Sequence, residues 1–204
     1  MKLYLAEKII RDCGGIAKTS VLNAGGIENY EISRLCAGGY IRRIRHGYYS
    51  LSEMSDEAIL SAVLPEGIVC MQSALYHYGY GSRPDIWNVA LPRSVSRSKL
   101  SMECISFRPY FIRGELIDLG RTTDSFGNSF LDIYNRERTV CDLFRYRRRI
   151  TDDAFAEALN AYARDINKDV HRLFEYSEIM NLTDKIKEVM NVLLSEHYTT
   201  DIEI

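Results

Sequence analysis

Residues 38–51 read Gly-Gly-Tyr-Ile-Arg-Arg-Ile-Arg-His-Gly-Tyr-Tyr-Ser-Leu. Tyr40-Ile41-Arg42-Arg43-Ile44 and Tyr48-Tyr49-Ser50-Leu51 are β-branched and aromatic runs separated by a tight Arg45-His46-Gly47 turn, which predicts a basic β-hairpin. Upstream of it the chain is cut into short helical segments. Leu3, Ala6, Ile10 and Cys13 recur at helical spacing and stop at Gly14-Gly15; a second helix over about residues 18–24 stops at Gly25-Gly26; a third over about 28–37 stops at Gly38-Gly39. Glycine ends helices because it alone enters the left-handed backbone at no steric cost. Three small helices followed by a basic hairpin predict a winged helix-turn-helix, in which the third helix enters the major groove of duplex DNA and the hairpin touches the backbone.

In the third helix Ile32, Leu35 and Cys36 satisfy the inward spacing, which leaves Asn29, Tyr30, Ser33 and Arg34 facing out. Asn suits adenine and Arg suits guanine through paired hydrogen bonds. With Lys18 and the hairpin residues Arg42, Arg43 and Arg45 as phosphate contacts, these are the candidate DNA-binding residues. A plain solvated face is the competing reading of such a helix. Charge distribution favours the interface: residues 1–52 carry eight basic against four acidic side chains, although the whole chain has formal net charge −2 and the tail from Thr151 carries five basic against twelve acidic.

A chain of 204 residues is long enough for two domains, expected at 1–52 and 55–204 with a short hinge over 50–55. No apolar run approaches the roughly 20 residues that span a bilayer, and the amino terminus lacks the apolar centre of a signal peptide, so a cytoplasmic location is expected. The five cysteines are scattered singly and the four histidines are isolated, which predicts buried thiols, no metal and no cofactor.

Beyond the hinge, a helix over 56–64 is capped by Ser55 and closed by Pro65. Residues 67–135 turn to strand periodicity: Trp87, Val89 and Leu91 alternate with Asn88 and Ala90, Ile105 and Phe107 repeat the pattern, and Leu116–Leu119 and Phe130–Ile133 flank a Ser125–Asn128 turn. An antiparallel or mixed sheet is expected there. Residues 136–195 read as helices with inward stripes such as Val140, Leu143, Phe144 and Phe155, Ala158, Leu159, Tyr162. The whole is α+β. On the face opposite Val140, Leu143 and Phe144 the same spacing turns Arg138, Asp142, Arg145 and Arg149 outward, and with Arg147 and Arg148 they predict a positive patch suited to a partner.

Gly14-Gly15-Ile16-Ala17-Lys18-Thr19, Ala24-Gly25-Gly26-Ile27, Gly47-Tyr48-Tyr49, Gln72–Gly79, Ala90-Leu91-Pro92 and above all Glu137-Arg138-Thr139-Val140-Cys141-Asp142-Leu143-Phe144 resemble the AbiE-type antitoxins of bacterial abortive-infection toxin–antitoxin systems. The resemblance spans nearly the whole chain and departs at Gly25-Gly26, where that family usually has one glycine. It implies an antitoxin that represses its own operon through repeated operator half-sites and counteracts a nucleotidyltransferase-like toxin.

Two other classes compete. A ligand-responsive winged-helix transcription factor would couple a metabolite site in the body to DNA affinity. A nuclease would need acidic residues and a lysine around a divalent ion; Pro84-Asp85 and Glu103-Cys104-Ile105 supply the acids without the lysine. Ser73 and His77 stand four apart without an identifiable orienting acid or oxyanion hole. No catalytic residue is therefore expected.

Overall fold

The computed structural model describes residues 2–96, 100 and 102–200, of which 195–200 by backbone alone. The architecture is α+β, with ten α-helices and two sheets among the described residues. The chain divides into two compact units. One comprises Met1–Gly67, Ser94–Ser106 and Ser125–Leu131; the other comprises Ile68–Arg93, Phe107–Asp124 and Asp132–Ile204. The first is thus wider than residues 1–52.

In the first unit the order is α1 (Leu3–Asp12), β1 (Ile16–Lys18), α2 (Thr19–Ala24), α3 (Asn29–Ala37), β2 (Ile41–Arg45), β3 (Tyr48–Leu51) and α4 (Asp56–Val63). The hairpin is present, and β1 adds a third strand that sequence periodicity did not reveal; it pairs antiparallel with β3, Ala17 opposite Tyr49, to give the order β1-β3-β2. Lys18 accordingly ends a strand rather than opening α2, and Glu28 precedes α3 rather than starting it. The pairing of β2 with β3 shifts register between Arg43 and Arg45, a bulge that re-aims the side chains at the hairpin end. Ala6, Ile10, Leu22, Ile27, Ile32, Leu35 and Ile41 form the core. Each buried Ile or Leu side chain contributes about 1.5–3 kcal/mol. The paired glycines 25 and 26 do different work: a Cβ on Gly25 would lie 2.3 Å from Ile9 Cδ1, whereas Gly26 has φ +86°.

Beyond α4, β4 (Ile68–Val69), α5 (Met71–His77), β5 (Trp87–Pro92), β6 (Phe107–Ile112), α6 (Gly114–Ile117), β7 (Arg121–Phe126) and β8 (Ser129–Tyr134) precede α7 (Arg136–Arg145), α8 (Asp152–Arg164), α9 (Val170–Ile179) and α10 (Thr183–Thr200); all belong to the second unit except the hairpin end Ser125–Leu131, which is grouped with the first. The sheet order is β6-β5-β4-β8-β7 and the sheet is mixed: β4 runs antiparallel to β5 and parallel to β8, and β5 runs parallel to β6. Pro109 is tolerated because β6 is an edge strand. Leu116–Leu119 is not a strand; it is the end of α6 and the turn after it, and its carbonyls are used by buried side chains described below. Asn88, expected on a polar face, is buried, with its N–H donated to Ser73 Oγ at 2.9 Å.

Helix α7 corrects a larger expectation. It is buried along its whole middle, from Glu137 to Phe144, because α5, α8, α9 and α10 all pack around it. A helix covered on every side has no outward face, so Arg138 and Asp142 lie inside rather than on a surface patch. Its amino end is capped by the Asn135 side chain, which accepts from Arg138 N–H at 3.0 Å.

Candidate nucleic-acid interface

Helix α3 presents Asn29, Tyr30, Ser33 and Arg34 to solvent, as its spacing requires once Ile32 and Leu35 are inside. Its amino end is fixed by the Glu31 carboxylate, which accepts the Glu28 N–H at 2.9 Å and pairs with Lys2 Nζ at 3.2 Å. That backbone hydrogen bond, followed by the lysine, holds the Glu31 carboxyl below its ordinary range. Across from α3 stands the hairpin. The Thr19 N–H donates to Gly47 O at 2.9 Å, which ties the start of α2 to the hairpin turn.

Between these elements runs an open cleft of about 480 Å³. Lys18 and Ser20 contribute from the β1–α2 junction, Asn29 and Ser33 from α3, and Arg43, His46 and Tyr48 from the hairpin. Four of the sequence candidates thereby share one cleft, while Tyr30 and Arg34 lie on the exposed face of the same helix. The residues that sequence reading did not select are Ser20, His46 and Tyr48. Tyr48 organises cations: Arg45 lies 4.0 Å from its ring centroid and Lys18 Nζ 5.7 Å. No carboxylate lines the cleft itself, although Glu103 pairs with Arg43 at its rim; such a lining suits a phosphodiester wall, and Asn29 and Arg34 can read base edges.

Arg42 does not join them. Its guanidinium donates to Met54 O and Cys104 O, each at 3.2 Å, and pairs with Asp56 at 3.4 Å. Adjacent strand residues point to opposite faces, so Arg42 is directed away from the Arg43 side and serves the inside of the first unit.

In the second unit the candidate partner patch divides. Arg138 is fully buried: its Nε lies 3.3 Å from Asp142, Nη1 donates to Leu116 O at 2.7 Å and Leu119 O at 2.9 Å, and its guanidinium lies 4.2 Å from the Tyr134 ring centroid. Burial pushes the Asp142 carboxyl up, against the pull of Arg138. Arg147 is half-buried, pairs with Asp152 and covers the Phe155 ring at 4.3 Å. Arg145, Arg148 and Arg149 are exposed, and Arg149 lies over the rings of Tyr110 and Tyr146 at 5.2 and 5.5 Å. Cations on aromatic rings are held in place while their outer N–H groups face solvent.

Ser73 and His77 each have a partner of their own, and that of His77 is an acid which the sequence did not identify. The Ser73 hydroxyl is buried and accepts from Asn88, and His77 Nε2 is 2.9 Å from Asp124 Oδ2. Among the described residues no three His, Cys, Asp or Glu side chains could together hold a metal ion. Among them, too, no helix is long and apolar enough to cross a membrane. No protein-family model matches the chain. No curated protein matches it either.

Proposed function

We propose that the first unit is a winged helix-turn-helix that binds duplex DNA, with α3 as the reading helix and the β2–β3 hairpin as the wing. The observation that carries this reading is the shared cleft, which sets Lys18 and Arg43 opposite the exposed Asn29 and Ser33. Phosphate contact falls to Lys18, Arg43 and Arg45, and base contact to Asn29, Tyr30, Ser33 and Arg34. Arg42 supports the hairpin. A mobility-shift assay with duplex from upstream of the gene tests this. Asn29→Ala or Arg34→Ala should cost about 1–3 kcal/mol on the preferred sequence and relax base preference, while Arg43→Ala weakens all sequences alike.

The function that fits this module best is repression of its own operon by a cytoplasmic antitoxin, a role carried by the resemblance of residues 14–19, 24–27, 47–49, 72–79, 90–92 and 137–144 to AbiE-type antitoxins. Two copies would occupy repeated half-sites, since one small helix reads too few base pairs to single out an operator. Arg145, Arg148 and Arg149 then serve toxin neutralisation, by contact with the toxin or with a nucleic acid it acts on; Arg138 is excluded from that surface by burial. Co-expression with the neighbouring gene tests this role. A folded triple Arg→Glu variant that still binds DNA should fail to rescue growth, and full rescue would remove the patch from the account.

A further inference from the structure

We propose that Glu103 is an intramolecular competitor for the phosphate-binding role of Arg43, so that the segment bearing it holds the DNA interface below its full affinity. This rests on the DNA-binding reading above. β2 is an edge strand, and its outer backbone groups need a partner or water. Residues 103–104 supply one: the Glu103 N–H donates to Ile44 O at 2.6 Å, and Arg42 Nη2 donates to Cys104 O at 3.2 Å while pairing with Asp56. This docking sets the Glu103 carboxylate 3.4 Å from Arg43 Nε.

On its other side Arg43 Nη2 lies 3.0 Å from His46 Nδ1. A guanidinium only donates, so the imidazole nitrogen accepts. Nε and Nη2 together form the side-on fork with which an arginine grips a phosphate through two parallel hydrogen bonds. One prong donates to His46, and the other lies at ion-pair distance from a carboxylate of the protein itself. Arg43 and Glu103 are 42% and 49% exposed, so a phosphate can reach the pair and displace the carboxylate. The contact is therefore a brake, not a block. An exposed ion pair of this kind shifts an equilibrium by about two- to fivefold.

The test compares the parent protein with Glu103→Gln, Arg43→Ala and the double variant, by fluorescence anisotropy on a duplex of about 30 base pairs over a salt series. Any duplex serves, since phosphate contacts are independent of sequence. Glu103→Gln retains the backbone bond to Ile44 and should melt with the parent. It should bind about two- to fivefold tighter near 0.1 M salt, with a log–log salt slope close to the parent's, because Arg43 reaches the same phosphate in both complexes. On the Arg43→Ala background the same substitution should change nothing. Equal or weaker binding by Glu103→Gln overturns the proposal, the weaker case making Glu103 a support for Arg43. An equal gain on both backgrounds also overturns it, because the effect is then the general field of a removed negative charge. If no variant and no parent binds duplex at the lowest salt, the DNA reading itself fails.

Discussion

Arg43 and Arg138 are the same side chain in opposite surroundings. Arg43 stands exposed at the rim of a cleft beside a carboxylate and an imidazole. Arg138 is fully enclosed among Asp142, two backbone carbonyls and an aromatic ring, with its Nη2 buried and making no hydrogen bond among the described residues. An exposed charge is available for binding and contributes little to stability; an enclosed one is unavailable for binding and becomes costly to disturb. Arg43 therefore serves a surface of the first unit, and Arg138 is the keystone of the core of the second.

The largest expected effect breaks the enclosed arrangement. Arg138→Ala would leave the Asp142 carboxylate buried without a counter-charge and the Leu116 and Leu119 carbonyls without a donor, a loss of about 3–5 kcal/mol measurable by urea denaturation. Arg138→Met combined with Asp142→Leu should be less damaging than either change alone, because it removes the stranded charge. A result showing Arg138→Ala as stable as the parent would mean that the two regions do not differ as described.

Arg42 and Arg43 sharpen the comparison within one strand. Arg42→Ala should destabilise the first unit by about 1 kcal/mol through the lost contacts to Met54, Asp56 and Cys104, with an unchanged salt slope for DNA binding. Arg43→Ala should do the reverse, leaving the melting curve in place and reducing the slope by about 0.9.

The smallest effect concerns acid. Burial alone would raise the Asp165 carboxyl, yet the Tyr80 hydroxyl, the Asn167 N–H and Arg136 together hold it below 3.8. A lowered folded value means that this stabilisation is present above the ordinary carboxylate range and is lost as pH falls through it. Asp165→Asn should flatten the acid limb of a stability–pH profile and leave DNA binding alone, as expected for a group in the second unit.

What was legible in the sequence follows from the range of the forces involved. Glycine at each boundary and inward spacing within each helix are local signals, and they place α1, α2, α3 and the hairpin to within a residue or two. β1 was not legible, since Ile16–Lys18 is too short to show a period and becomes a strand only by pairing with β3. Lys18, Asn29, Ser33 and Arg43 were legible as members of the candidate cleft because charge and exposure suffice to select them. Ser20, His46 and Tyr48 required the hairpin turn to be brought beside the start of α2. Arg42 was misplaced because its partner Cys104 is 62 residues away, and Arg138 because local periodicity assumes an outer face that the packing around α7 removes.

The oligomeric state gives a further check: sedimentation should find one copy free in dilute solution and two on an operator with repeated half-sites. The most direct measurement remains the affinity of the unmodified protein for duplex DNA across a salt series. Phosphate contact by Lys18, Arg43 and Arg45 predicts binding that weakens steeply with salt, with a log–log slope of about −3 per bound copy. Absence of binding at low salt, or binding indifferent to salt, would contradict the account.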